Sequence, residues 1–212
     1  MNSGNKKLQK IIISLKKPLP GQWAQEKMYP SDRKIVLESE FAEMKVRKAA
    51  VLLLLFSEDD VLFLVLTKRN PDLKEHAGQI SFPGGSFERK DAKLERTARR
   101  EAKEEIGINP DEVQILGTLS DVFIPNSNFL VKPFLSYCST KPQFIKDEKE
   151  VQEILLVPLK DLLDESNRKE MFQIKNGEKV NIPYFCLHDE IVWGATAIIL
   201  SELKEILLGG GC

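Results

Sequence analysis

Cysteine is scarce and unpatterned in this chain: Cys138, Cys186 and Cys212 are odd in number, far apart and never in a Cys-x-x-Cys pair. That spacing argues against a disulfide framework or a cysteine zinc site, and it fits a reducing compartment. Charge of one sign is missing too, since 31 Lys plus Arg stand against 32 Asp plus Glu, a net charge of −1. So balanced a chain has no excess with which to neutralise a nucleic-acid backbone, and an anionic ligand must be met by a local cluster. No apolar run approaches a membrane span, and Ile11-Ile12-Ile13 is too short and too soon followed by Lys16-Lys17 to be a signal sequence. Cys212 is the last residue, whereas prenylation needs a cysteine four from the end. No repeat or low-complexity segment occurs. The expectation is a cytoplasmic chain that engages neither membrane nor nucleic acid.

What the chain does hold is an ordinary globular balance, 42% hydrophobic and 30% charged over 212 residues, which suits one domain with a full core. Its most informative stretch runs from His76 to Ile108, HAGQISFPGGSFERKDAKLERTARREAKEEIGI. Phe82-Pro83-Gly84-Gly85 closes a short apolar run, because paired glycines allow backbone angles that side chains forbid and proline removes a ladder donor. A strand is therefore expected to end in a glycine turn. Asp91 suits the N-cap of a following helix, Glu95 its first turns, and Gly107 a stop after Ile106. At roughly 100° per residue, Leu94, Ala98, Ala102 and Ile106 share one face, with Lys93, Arg96, Arg99, Arg100 and Lys103 on the far side. Glu101, Glu104 and Glu105 occupy the edge between them.

Three carboxylates at i, i+3 and i+4 repel, at a few tenths of a kcal/mol per pair on a bare helix, so something positive belongs among them. Their oxygens are suitable hard ligands for Mg²⁺, which prefers a few acids plus waters and substrate phosphate oxygens. Arg100, one turn before Glu104, is placed to hold that acid. Taken alone, REAKEE reads as a solvated charged helix face; its fixed distance from the glycines favours the metal site. Just before the glycines lies a small basic group, Lys68, Arg69, Lys74 and His76. Arg69 and His76 are candidates for phosphate contact, against the bland alternative of a solvated loop.

Elsewhere, Leu8, Ile11, Ile12 and Leu15 predict a short amphipathic helix that Pro18 and Pro20 end. Gly21 to Glu43 has no clean period beyond a partial helix around Ile35 to Phe41. Ala49 to Phe56 and Val61 to Thr67 predict a buried hairpin across Ser57-Glu58-Asp59-Asp60. Strands are predicted over Val113–Leu119, Val131–Cys138 and Val151–Leu156, and a loop with turn chemistry at Pro125–Asn128. A short helix over Leu159–Leu163 follows, then a hairpin of Met171–Ile174 and Val180–Phe185 around Asn176-Gly177, and a terminal helix over Ala195–Leu208. Strands around one central helix, without regular βαβ alternation, predict an α+β fold, a mixed sandwich. The division expected is 1–45 as an N-terminal extension, 46–208 as the domain and 209–212 as a flexible tail.

Gly85, five residues, Asp91, eight residues, then Arg100-Glu101-Ala102-Lys103-Glu104-Glu105-Ile106-Gly107-Ile108 resembles the Nudix box of pyrophosphate-cleaving hydrolases. The usual pattern has Glu where Asp91 stands and one residue fewer in the second gap, a departure that one subgroup shares. Leu66-Thr67-Lys68-Arg69, Gly78 and Phe82-Pro83-Gly84-Gly85 resemble the further signature of the coenzyme A pyrophosphatase branch. So do Trp193-Gly194-Ala195-Thr196-Ala197 and Glu150-Val151 leading to Val157-Pro158-Leu159. The signature departs at Asn70, where Ser or Ala is usual, and at Lys74, where Arg is usual, replacing a fork by a point donor.

The resemblance implies an α/β/α sandwich with a mixed sheet and a central acidic helix, and a Mg²⁺- or Mn²⁺-dependent hydrolase. Its substrate would be coenzyme A or a derivative, cut at the diphosphate to 4′-phosphopantetheine and 3′,5′-bisphosphoadenosine. Glu101, Glu104 and Glu105 are the expected metal ligands. Glu104 is also a candidate water-orienting base, oriented by Arg100, while Asp121, Glu148, Glu150 and Glu153 stay open for that role. Substrate contacts are expected at Arg69, Lys74, His76, Gly84 and Gly85. Members are often dimeric, which makes a homodimer a candidate assembly and the N-terminal helix a candidate contact, while the sequence leaves the oligomeric state open. The alternatives are a broader hydrolase acting on NADH or ADP-ribose, although the tryptophan-bearing motif of the NADH group is missing, and a non-catalytic nucleotide-binding module, which usually loses acids that are all present here.

Overall fold

A computed structural model of the chain describes residues 3–33 and 44–209. The run Ala49–Phe56 is apolar at every position because its strand is covered on both faces. Within β1 (Arg47–Glu58), Ala50, Leu52, Leu54 and Phe56 point to one side and Ala49, Leu53 and Leu55 to the other, the period of two that pleating imposes. The first set packs with Ala98, Ala102 and Ile106 of α3 (Leu94–Ile106), the second with Ile198, Ile199 and Leu203 of α5 (Gly194–Leu208). The result is the expected sandwich, one helix on each face of a sheet.

Asp59 and Asp60 both take positive φ, 48° and 65°, which lets a two-residue turn join β1 to β2 (Val61–Arg69) as predicted. The two strands pair only from Glu58↔Val61 to Leu55↔Leu64 and then part. Into the opening come β3 (Ile80–Ser81) against β2 and β4 (Gly84–Ser86) against β1. The glycines thus form a short strand, Gly85 opposite Ala50, where the sequence predicts a turn. Their reason for being glycine is close approach. A Cβ on Gly84 would meet the Ala50 carbonyl oxygen at 2.4 Å, and one on Gly85 would meet the Glu101 carboxyl group at 2.6 Å.

Strands β5 (Gln114–Thr118), β6 (Val122–Ile124), β7 (Phe129–Cys138) and β8 (Val151–Pro158) complete an eight-stranded mixed sheet, in which β7 runs parallel to β1 and the other pairs are antiparallel. The short helix α4 (Leu159–Leu163) follows as predicted. A second sheet joins β9 (Arg168–Lys175), β10 (Glu178–Leu187) and β11 (Glu190–Val192), the first two linked through Asn176-Gly177 at φ 53° and 83°. At three residues each, β6 and β11 are too short to show a period.

The N-terminal helix α1 (Ser3–Ser14) and the five-residue α2 (Gln22–Glu26) pack on α5, and Ile11 and Met28 enter its core cluster. The described part of the N-terminal stretch is therefore built into that side of the sandwich. The helix predicted around Ile35–Phe41 lies outside the described residues.

Candidate active site

Helix α3 starts at Leu94 with Lys93 as its N-cap and stops at Gly107, whose φ of 71° is left-handed as expected of a glycine C-cap. Asp91 is not the cap. It ends a 3₁₀ turn, Arg89–Asp91, and lies buried with its carboxylate turned toward the helix side. There it accepts from Thr97 Oγ1 at 2.9 Å, from the Glu88 N–H at 3.0 Å, and from Arg100 Nε and Nη2 at 2.8 and 3.1 Å. Neutralising a guanidinium fork serves Asp91 better than capping would, and Arg100 holds its carboxyl well below the usual carboxylate range.

The third nitrogen of that fork faces the acidic edge. Arg100 Nη1 lies 2.9 Å from both Glu101 Oε1 and Glu104 Oε2. Asp91 fixes the fork, and the fork in turn fixes two of the three box acids. The sequence placed Arg100 against Glu104 and missed Glu101.

The three acids differ in surroundings. Glu104 is 54% exposed along its side chain, Glu101 is half-buried, and Glu105 is 3% exposed. Glu105 Oε2 accepts one hydrogen bond from the Gly84 N–H at 3.3 Å, and Arg69 Nη1 stands 4.0 Å from Oε1. Burial, opposed only partly by Arg69, pushes the Glu105 carboxyl up to about 8; burial pushes Glu101 up as well, against the pull of Arg100. Arg69 Nε is itself buried without a hydrogen-bond partner among the described residues.

Of the later acids, Glu150 comes to the site. Its charge raises both Glu101 and Glu105, and its backbone is tied down where the Asn70 N–H donates to the Glu150 carbonyl at 2.9 Å. The same loop touches α3 directly, because the Asp147 N–H donates to the Glu105 carbonyl at 2.9 Å. Asp121 pairs with Lys132 at 2.9 Å, and Glu148 and Glu153 are exposed.

The predicted basic group is divided. Arg69 faces the acids, but Lys68 is bonded to Glu190 of β11, a partner with no signal in the sequence. Lys74 and His76 are exposed on the loop between β2 and β3, and His76 Nδ1 lies 3.0 Å from Gln79 Oε1. Strand β3 is anchored from behind, where Thr196 Oγ1 in the first turn of α5 donates to the Ile80 carbonyl at 3.0 Å.

The NUDIX domain model matches residues 46–176, the span that carries every element of this site up to β9. The chain belongs to the Nudix hydrolase family. It is 37% identical over 169 residues to Nudix hydrolase 15, mitochondrial, of Arabidopsis thaliana, a match covering 76% of this chain and 59% of that protein's length. With the uncharacterized Nudix hydrolase NudL of Pectobacterium atrosepticum it shares 33% identity over 157 residues, 74% of this chain and 81% of the relative. The fold is that of a Mycobacterium smegmatis Nudix hydrolase, RenU, at TM-score 0.55 and 15% identity, covering 78% of this chain and 88% of that one.

Nudix membership implies a divalent metal. Among the described residues no three Asp, Glu, His or Cys side chains converge to hold an ion by themselves. Yet Glu101 and Glu105 present hard oxygens beside a glycine backbone, and burial pushes both carboxyls up against the opposing pull of Arg100 and Arg69. A divalent cation favours the ionised form of such a pair, and Mg²⁺ is content with few protein oxygens when substrate phosphates and waters supply the rest. The residues fit the group.

Proposed function

We propose that this protein hydrolyses the diphosphate bond of coenzyme A or a derivative, giving 4′-phosphopantetheine and 3′,5′-bisphosphoadenosine, with Mg²⁺ or Mn²⁺ held by Glu101 and Glu105 and completed by Glu104. The observation that carries the reaction class is Glu105, a buried glutamate with one long hydrogen bond and a carboxyl pushed up to about 8. The substrate rests on the Leu66–Arg69, Gly78 and Trp193–Ala197 signature.

When bound, the metal neutralises phosphate oxygens and acidifies a water. Arg69, whose Nη1 faces Glu105 and whose buried Nε has no partner among the described residues, is suited to grip the diphosphate. The absence of a side chain at Gly85 lets the Glu101 carboxyl lie directly against the β4 backbone. Arg100 keeps Glu101 and Glu104 aimed while its other two nitrogens stay on Asp91. Glu104, solvent-facing, and Glu150, whose charge acts on both Glu101 and Glu105, are the two candidates to accept the proton of the attacking water.

The decisive assay follows release of phosphopantetheine from coenzyme A with and without Mg²⁺. Metal-dependent release is expected, and its absence while NADH or ADP-ribose is cleaved would move the assignment to the broader hydrolase. Comparing Glu104→Gln with Glu150→Gln then names the proton acceptor, whose loss should cost about 10²–10⁴ in kcat.

A further inference from the structure

On the far side of the sheet from α3, helix α5 carries a cation that the reaction does not use. Lys204 is 5% exposed and lines a cavity of about 240 Å³ together with Lys27, Arg168, Glu165, Glu205 and Phe185. A lysine ammonium has three protons to donate, and Lys204 Nζ makes no hydrogen bond among the described residues. Its counter-charge is Glu165, 3.1 Å away but 76% exposed along the side chain. Native interiors rarely leave a buried ammonium with one exposed counter-ion and no aligned hydrogen bond, and a missing ligand is one physical explanation.

The charge around the cavity does not balance. Lys27 Nζ is bonded to Glu205 at 2.6 Å, which uses one cation and one acid. Arg168 donates from Nη2 to the Lys27 carbonyl at 3.0 Å and has no carboxylate partner among the described residues. Three lining cations therefore face two lining carboxylates, with Asp164 outside the lining but within the field of Lys204, and the cations left without a close buried acid are a guanidinium fork and a point donor. Opposite them the Phe185 ring gives an apolar wall, its centroid 5.7 Å from Lys204 Nζ. The volume falls below the roughly 300–1,000 Å³ of drug-sized sites, so a ligand must be small.

We propose that this cavity is a second ligand site, which takes the phosphate group of a small phosphate monoester on Lys204 and Arg168 and lays its organic body against Phe185. A fork and an ammonium together suit a tetrahedral dianion better than a planar monoanion. The site is separate from the acids of α3 and does not rest on which diphosphate they cleave.

The test uses the full-length chain with divalent metal removed by chelation, titrated with inorganic phosphate at constant ionic strength and followed by ³¹P NMR and by Tm. Saturable binding is expected, weakened about ten- to hundredfold by Arg168→Gln and by Lys204→Met and unaltered by Arg69→Gln. Arg168 is exposed on β9, so its replacement keeps the test valid even if Lys204→Met folds poorly. No saturable binding, binding that survives both cavity variants, or an equal response to acetate would each overturn the proposal.

Discussion

Glu105 and Glu202 are both almost fully buried glutamates, one on each helix that closes a face of the sheet, and their surroundings are opposite. Glu202 accepts from the Gly21 N–H, Gln25 Nε2, the Ser120 N–H and Ser120 Oγ at 3.2, 3.1, 3.2 and 2.7 Å. Its lone pairs are used, and it ties α2 and the turn before β6 to α5. Glu105 has one N–H at 3.3 Å and a guanidinium 4.0 Å away. A buried acid with its partners in place is structural; one that lacks them is pushed toward its neutral form, and an incoming cation is what favours the ionised one. Asp91, with Arg100, Thr97 and Glu88 around it, belongs with Glu202.

The sharpest way to break this contrast is to neutralise each glutamate in turn. Glu105→Gln should lower kcat by about a hundredfold or more, since metal polarisation of the step is worth several kcal/mol, and should not lower stability in chelator. Glu202→Gln should do the reverse, losing about 1.5–3 kcal/mol of unfolding free energy in urea with kcat per folded molecule little changed. Near-wild-type turnover of Glu105→Gln at saturating Mg²⁺ would return α3 to a merely solvated helix.

Arg69 is the cation opposite Glu105, with a buried nitrogen that lacks a partner among the described residues, and Lys74 and His76 are exposed on the neighbouring loop, so this group can also read the substrate. If one of the three contacts the 3′-phosphate, kcat/KM should favour coenzyme A over 3′-dephospho-coenzyme A by roughly ten- to hundredfold. Alanine at the responsible position should erase the preference and leave dephospho-coenzyme A hydrolysis nearly unchanged. Equal rates on the two substrates in the unmodified protein would refute the contact.

A smaller effect is expected from Arg100→Lys, about tenfold in kcat with KM nearly constant, because an ammonium cannot span Asp91, Glu101 and Glu104 together. A rise in KM alone would place Arg100 on the substrate instead.

The smallest effect concerns acid. Asp91 titrates below its unfolded value of about 3.9, so its contribution to stability is fully present above that pH and is lost as pH falls through the native value. Urea midpoints of the protein should therefore fall more steeply below about pH 4 than those of Asp91→Asn, which starts less stable at neutral pH. Parallel slopes would mean that Arg100 does not hold Asp91 ionised.

Local pattern made much of this legible. The face Leu94, Ala98, Ala102 and Ile106 was readable because helical period reports which side is covered, and the two hairpins were readable because Asp59-Asp60 and Asn176-Gly177 sit between apolar runs. The sequence misread the glycines because a turn and a close approach both demand a residue without Cβ; the Ala50↔Gly85 pairing distinguishes them only once β1 and β2 have parted. Asp91 was misread for a related reason, since its type and place before a helix suit a cap.

By itself, then, the sequence determined the helix edge on which three acids stand, the strands beneath it and the family. Only the tertiary structure decided that Glu105 is the buried acid, that Glu101 shares the Arg100 fork, that Glu190 captures Lys68 across 122 positions, and that Glu150 returns to the site. Period and turn chemistry act over a few residues and leave their mark in local order. Burial, charge pairing and carboxyl titration depend on which distant segments come to lie against one another, and no local pattern records that.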